Sequence, residues 1–149
     1  MDERDVDIFV RMLLETDEIS SRMSEFGIDQ ETWRSSRALR DLLLMPLIQI
    51  GELATHLRDS GYPQRFPVVP WREIRGFRNV VVHGYGQIDI DIAWESATAG
   101  VAELRAALLG DEEVRAAYES ELMAAESDSS RLSELIKSLP LDDGEGGYA

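Results

Sequence analysis

The sequence predicts an all-α chain: an antiparallel up-down helical bundle of four core helices carrying an acidic helical C-terminal extension. Three observations lead there. Apolar residues recur at three- and four-residue spacings over most of the chain, which is the period of a helix with one buried face. Glycine and proline fall mainly between these stretches, where helices stop and start. From Ile90 to Leu108 the apolar positions alternate spacings of four and three, the seam of a helix packed in a bundle or across a dimer. A length of 149 residues suits one domain with a real core.

Each element follows from its residues. Asp2 or Asp5 can cap a first helix whose apolar positions are Val6, Phe9, Leu13, Ile19, Met23 and Phe26, with Gly27 as its stop. After a turn at residues 28–31, Thr32 to about Asp59 reads as one long second helix with Leu39, Leu43, Ile50, Leu53 and Leu57 inward. Pro46 interrupts it and removes one backbone hydrogen bond, a cost of ~3 kcal/mol in a regular helix interior. The apolar stripe continues past Pro46, so a kinked helix is expected rather than two. Gly51 permits the close approach of a neighbouring backbone. Residues 60–69, with Gly61, Pro63 and Pro67, read as a loop without regular helix.

Pro70 can open a third helix at its first position, because its missing N–H would have no intrahelical partner there. That helix is expected over Trp71 to about His83, with Gly84 as its stop and Ile74, Phe77 and Val81 facing the core. A turn at residues 86–88 leads to the fourth helix, with Ile90, Trp94, Ala97, Val101, Leu104 and Leu108 on its seam. An acidic helix is expected over residues 111–126, with Val114, Tyr118, Leu122 and Ala125 on one face, and a short one over residues 131–139. The organisation is therefore 1–109 bundle, 110–139 acidic helical extension packed on or beside it, and 140–149 disordered tail.

Composition narrows the function. The longest apolar run, Leu42 to Ile48, contains Pro46 and is far short of the ~20 residues a spanning helix needs. The charged opening Met-Asp-Glu-Arg-Asp lacks a signal peptide's apolar core, so a cytoplasmic location is expected. The chain has no cysteine and only His56 and His83 as histidines, which leaves no thiolate or His-rich metal site. No cofactor and no metal are expected. A net charge of −14 argues against a generic nucleic-acid binder. Yet from His56 to His83 five arginines stand against two acids, a net +3 where the remainder carries −17. From Asp111 onward eleven acids and three bases add −8. That extension reads as a packed helix, an interaction arm or an RNA-mimicking inhibitor of the basic stretch.

The chemistry concentrates at the end of the third helix. Arg78, Asn79, His83 and Tyr85 place a guanidinium, an amide, an imidazole and a phenol within eight residues. An arginine can grip a phosphate through two parallel hydrogen bonds, and a histidine near neutral pH can move a proton. The set suits phosphodiester cleavage without a metal. On an ideal helix Arg78 and His83 lie roughly 140° apart, so the helix must fray there or the site must be shared with another helix or subunit. Arg72, Arg75 and Arg65 are possible RNA contacts, or simply solvated. Glu52 is either a surface carboxylate or the partner that orients an arginine of this helix. Trp71 either closes the bundle end or stacks a base.

This context, Pro70-Trp71-Arg72, Ile74, Gly76, Arg78-Asn79, His83 and Tyr85, resembles the HEPN superfamily, specifically HepT-like toxins of toxin–antitoxin modules. Ile50-Gly51-Glu52 and Trp94 fit as well, and the likeness spans residues 1–109. The resemblance implies an all-α bundle, a homodimer that joins two motifs, and a type VII-like module. In it the toxin cleaves RNA with catalytic Arg78, Asn79 and His83. A minimal nucleotidyltransferase antitoxin neutralises it by adenylylating Tyr85. Two other readings stand beside the metal-independent endoribonuclease: a catalytically silent helical module that binds a nucleotidyltransferase, and a structural dimer held by Arg78 and Asn79. Cleavage of RNA by the purified protein separates the enzyme from both.

Overall fold

The computed structural model describes residues 1–79 and 89–140. Among them there is no strand, and the chain is all-α. Two compact units divide it, Met1–Tyr118 and Glu119–Ala149.

In the first unit α1 covers Glu3–Phe26. Asp2 caps it through its carboxylate on the Arg4 N–H, and Gly27 closes it at φ 59°, a backbone region that glycine enters without strain. Asp5, the other cap candidate, is buried and does something else. Its two carboxylate oxygens accept the N–H groups of Arg58 and Asp59 at 2.9 and 3.0 Å, fastening the chain beyond α3 to the start of α1. Phe9, Leu13 and Ile19 are buried as the spacing predicts, whereas Phe26 is exposed, because it sits on the last turn beyond the reach of the core.

The long second helix is in fact two. α2, Gln30–Ser35, opens on a capping box between Asp29 and Thr32, and α3 runs over Arg37–Thr55. The break falls at Ser36, not at Pro46. Ser36 adopts an extended backbone and its hydroxyl accepts from the Leu39 N–H, so it caps α3 as a fresh helix. Helix α3 ends at Thr55, four residues before the expected end.

Pro46 lies inside α3, which continues through it as expected. The N–H that Pro46 lacks would have bonded the carbonyl of Leu42, four residues back. That carbonyl instead accepts a hydrogen bond at 2.8 Å from Nη1 of Arg22 on α1, while Arg22 Nε pairs with Glu18 at 3.1 Å. A side chain from the neighbouring helix thus completes the ladder. The contact also joins the end of α1 to the start of α3, as Asp5 joins the start of α1 to the end of α3. The two helices are therefore antiparallel.

The expected loop over residues 60–69 holds one helical turn, α4, Tyr62–Arg65. Pro63 is tolerated because it lies in the first turn, where its absent N–H is not needed. Trp71 opens α5, Trp71–Gly76, with Pro70 one position earlier than expected, at the cap. The Trp71 ring is buried, donates from Nε1 to the Phe66 carbonyl at 3.0 Å and meets Tyr62 edge-on at 4.9 Å, so it closes the bundle.

The fourth helix forms as α6, Ile90–Glu95, a π-helical segment over Ser96–Gly100, and α7, Val101–Gly110. Ala97, Val101, Leu104 and Leu108 are buried as the seam requires. Trp33 of α2 donates from Nε1 to the Ile90 carbonyl at 2.8 Å, which sets the start of α6 beside α2. At the other end, Asp111 receives Arg65. The fourth helix therefore runs in the same direction as α3.

The two expected C-terminal helices are one, α8, Glu112–Ser138. No residue between Glu126 and Arg131 breaks a helix, so serines and acids there simply continue it. Val114 and Tyr118 are buried, but Leu122 and Ala125 are exposed. Tyr118 donates to Asp17 at 2.5 Å, and Arg105 spans Asp17 at 2.6 Å and Tyr118 at 3.2 Å. Burial pushes the Tyr118 hydroxyl above its ordinary value, and the Asp17 bond adds to this. No helix among the described residues is long and apolar enough to cross a membrane. The tail expected to be disordered lies, apart from Pro140, outside the described residues.

The Arg22 contact makes a specific claim. Arg22→Ala should lower stability by about 1 kcal/mol through the orphaned Leu42 carbonyl. In a Pro46→Ala background the same change should cost less, since the helix then supplies its own N–H. Denaturant unfolding of the four chains of this double-mutant cycle measures the coupling, and an additive cycle would refute the compensation.

Candidate active site

Arg78 and Asn79 lie where α5 leaves its helical path. Gly76 ends the regular helix, and Phe77 and Arg78 follow in a tighter turn whose N–H groups reach Ile74 and Arg75 carbonyls three residues back, each at 3.3 Å. The regular helix is thus shorter than the span to His83 that the sequence predicts. Glycine at position 76 has a weak helical preference, and i→i+3 bonds commonly tighten a last turn. The angle of roughly 140° between Arg78 and His83 was that of an ideal helix, and His83 lies outside the described residues. Ile74 and Phe77 are buried as expected.

Gly51 sets the depth of this turn. A Cβ built on it would stand 2.5 Å from the Ile74 carbonyl oxygen and 3.3 Å from the Arg78 backbone nitrogen. Only a residue without a side chain lets α3 come this close. The next residue, Glu52, then lies under the arginine: its Oε2 is 3.4 Å from Arg78 Nε. Glu52 is therefore the carboxylate that holds an arginine of the motif, the sharper of the two readings the sequence allows. Its other oxygen, Oε1, is 3.2 Å from His56 Nε2, one helical turn further along α3. One carboxylate holds a guanidinium and an imidazole together on an open surface.

His56 was not singled out from the sequence. A signal was present, since glutamate and histidine at i and i+4 share a helix face. Asn79 is exposed next to Arg78. His83 and Tyr85, with Val81, Gly84 and Gly86, lie outside the described residues.

The three other arginines differ in their engagements. Arg72 is exposed on α5. Arg75 donates from Nη1 to the Tyr62 hydroxyl, and its guanidinium lies 5.8 Å from the centre of the same ring. Arg65 donates from Nη2 and Nε to Asp111 Oδ2 at 2.5 and 3.1 Å, so it fastens α4 to the start of α8. Burial opposes ionisation of Asp111, but the hydrogen bonds from Arg65 and from the Val114 N–H outweigh it and hold the carboxyl below its ordinary range. Among the described residues no group of three or more His, Asp or Glu side chains could hold a metal ion.

An arginine, a carboxylate and an imidazole thus stand together where α3 meets the α5 turn of an all-α chain. Residues 16–110 match the family described as Ribonuclease HepT-like, well over half of the chain. The chain belongs to the HepT-like ribonuclease family, within the HEPN superfamily that its motif resembles. A protein of Methanocaldococcus jannaschii named as a proposed RNase is 29% identical over 107 residues, which cover 70% of this chain and 94% of that one. A second from the same organism, also named as a proposed RNase, is 24% identical over 70% of this chain and 89% of its own length. A third, from Caldanaerobacter subterraneus and named likewise, is 30% identical over 52% of this chain and 69% of its own. No solved structure matches the chain.

The Arg65–Asp111 pair predicts a pH dependence with a definite sign. A carboxylate whose pKa falls on folding adds stability above its unfolded value and loses it as pH falls through the folded one. Asp111→Asn keeps an oxygen for the Val114 N–H but not the charge. Its stability deficit should be full near neutrality and shrink as pH drops below about 3.8, the carboxylate's ordinary value. Thermal unfolding of both chains between pH 7 and pH 2.5 measures this.

Proposed function

We propose that the protein is a metal-independent endoribonuclease and the toxin of a type VII-like toxin–antitoxin pair. The observation that carries the reading is the placement of Arg78 in a chain of this family: exposed on the α5 turn, with its Nε 3.4 Å from Glu52 Oε2. Its terminal nitrogens point the chemistry, since a guanidinium held at Nε keeps its two-pronged end for a phosphate. Arg78 stabilises the charge that develops on the scissile phosphate, and Asn79 orients the phosphate or His83. His83 takes the proton of the ribose 2′-hydroxyl. The 2′-oxygen then attacks phosphorus, the bond to the 5′-oxygen breaks, and the products are a 2′,3′-cyclic phosphate and a 5′-hydroxyl.

Arg72 is the most available further contact for the RNA backbone, ahead of Arg75 and Arg65, which already have Tyr62 and Asp111. A homodimer with the motif regions facing one another would double the arginines along one groove. The second reading, a silent module that binds a nucleotidyltransferase, keeps the fold and loses the cleavage.

Arg78→Ala and His83→Ala should each slow RNA cleavage by about 10²–10⁴-fold with the fold retained. Gel analysis of RNA incubated with purified wild type in EDTA is the first measurement. Abolition by the chelator with rescue by a divalent ion would replace this chemistry with that of a metal nuclease.

Tyr85 is the proposed target of the nucleotidyltransferase partner, which would transfer AMP to its hydroxyl. Glycines on both sides, Gly84 and Gly86, give a modifying enzyme room to reach it. The added phosphate brings negative charge near Arg78 and blocks the place of the substrate backbone. Mass spectrometry after co-expression should find the nucleotide on Tyr85, and Tyr85→Phe should cleave RNA yet escape silencing. Silencing of that variant as strong as that of wild type would show inhibition by binding alone.

A further inference from the structure

We infer that His56 is the general acid of RNA cleavage, the group that protonates the departing 5′-oxygen; this rests on the ribonuclease reading above. Cleavage through the 2′-hydroxyl moves two protons. One leaves the nucleophile as the 2′-oxygen bonds to phosphorus, and one must reach the 5′-oxygen as its bond to phosphorus breaks. Arginine cannot give up a proton in this range, and the chain has only two histidines. With His83 as the base, His56 is the other histidine available for the second transfer.

The geometry supports the assignment. His56 and Arg78 come from different helices, yet both rest on the one carboxylate of Glu52, at 3.2 and 3.4 Å. A phosphate gripped by the outer end of Arg78 is therefore brought to the same surface as the imidazole. Glu52 occupies one ring nitrogen and fixes the ring, which leaves the other nitrogen to carry the transferable proton. The His56 side chain is 65% exposed, so the imidazole is open to solvent among the described residues. Of the charged residues that follow His56 in the chain, Arg58 lies 3.7 Å from Asp2 and Asp59 accepts the Gly61 N–H. In the step, the imidazolium proton passes to the 5′-oxygen as that oxygen takes the electron pair of its bond to phosphorus. The products are a neutral imidazole, a 5′-hydroxyl and a 2′,3′-cyclic phosphate. Glu52 acts through the other two and is a positioning residue.

The test compares two substrates that differ only in the leaving group. A dinucleoside phosphate needs its leaving oxygen protonated, whereas a nucleoside 3′-(4-nitrophenyl phosphate) releases a stable phenolate without help. His56→Ala and His56→Gln should cleave the dinucleotide at least 10²-fold more slowly than wild type and the nitrophenyl ester within a few-fold of it. The rate of the dinucleotide reaction should also lose its fall at alkaline pH, since that limb reports a group that must be protonated. Equal losses on both substrates, or no loss on either, would overturn the assignment while wild-type cleavage stands. A wild-type protein that cleaves neither substrate removes the ribonuclease reading itself, and this proposal with it.

Discussion

The site depends on one close approach, that of α3 to the α5 turn at Gly51. A methyl group at this position would meet the Ile74 carbonyl oxygen at 2.5 Å, a distance that forces backbone to move. Because the obstacle is backbone and not the flexible end of a side chain, no rotamer change relieves it. The described residues of the candidate site stand next to this contact. Glu52 is its sequence neighbour, Arg78 carries the backbone nitrogen 3.3 Å from the same virtual atom, and His56 is one turn along α3. A displacement of α5 by the width of a methyl group would part Arg78 from its carboxylate.

Bundle packing makes that approach rigid. α3 has α1, α2 and α5 around it, and each boundary is fastened by a polar group that satisfies backbone the helices leave open. Asp5 accepts the N–H groups just beyond α3, Ser36 caps its start, and Arg22 fills the gap that Pro46 makes in its middle. These contacts have a common logic. A buried or half-buried backbone group without a partner costs about 1–3 kcal/mol, so each polar side chain fixes a helix position that apolar packing alone would let slide. Ion pairs on the open surface work differently. The Glu52–Arg78 pair is exposed and worth at most about 1 kcal/mol, so its value lies in where it holds the guanidinium.

Much of this was legible in the sequence. The helical period marked the buried faces of α1, α3 and α7, and the Gly51-Glu52 pair stood out as a close approach followed by a carboxylate. The arginine-rich motif and its likeness to HepT-like toxins led to the family that residues 16–110 match. What failed were the boundaries. Ser36 broke a helix that looked continuous because its capping hydroxyl competes with the ladder, and a serine in a helical stretch gives little warning of that. Residues 126–131 looked like a gap because they are polar, yet polarity without glycine or proline does not end a helix. The turn at Phe77 came from tertiary contact with α3 as much as from Gly76, and such contacts are not written in local spacing. The Glu52–His56 contact is equally local, a glutamate and a histidine at i and i+4, but only the approach of α5 brings Arg78 to the same carboxylate.

The same carboxylate gives the arrangement its chemical sense. An arginine and a histidine on one surface would repel when both are charged, and long side chains on neighbouring helices would spread apart. Glu52 offers one oxygen to each, at 3.2 Å from His56 Nε2 and 3.4 Å from Arg78 Nε, so it sets their separation. The arginine keeps its paired donors and the imidazole keeps a second nitrogen. In the ribonuclease mechanism proposed above, a carboxylate at the end of a close helix contact would thereby hold a phosphate grip and a proton carrier drawn from two helices. The arginines of residues 58–78 differ in the same respect: Arg58, Arg65 and Arg78 each stand beside an acid, Arg75 lies on the Tyr62 ring, and Arg72 is exposed, so the neighbouring acids offset the local positive charge only in part.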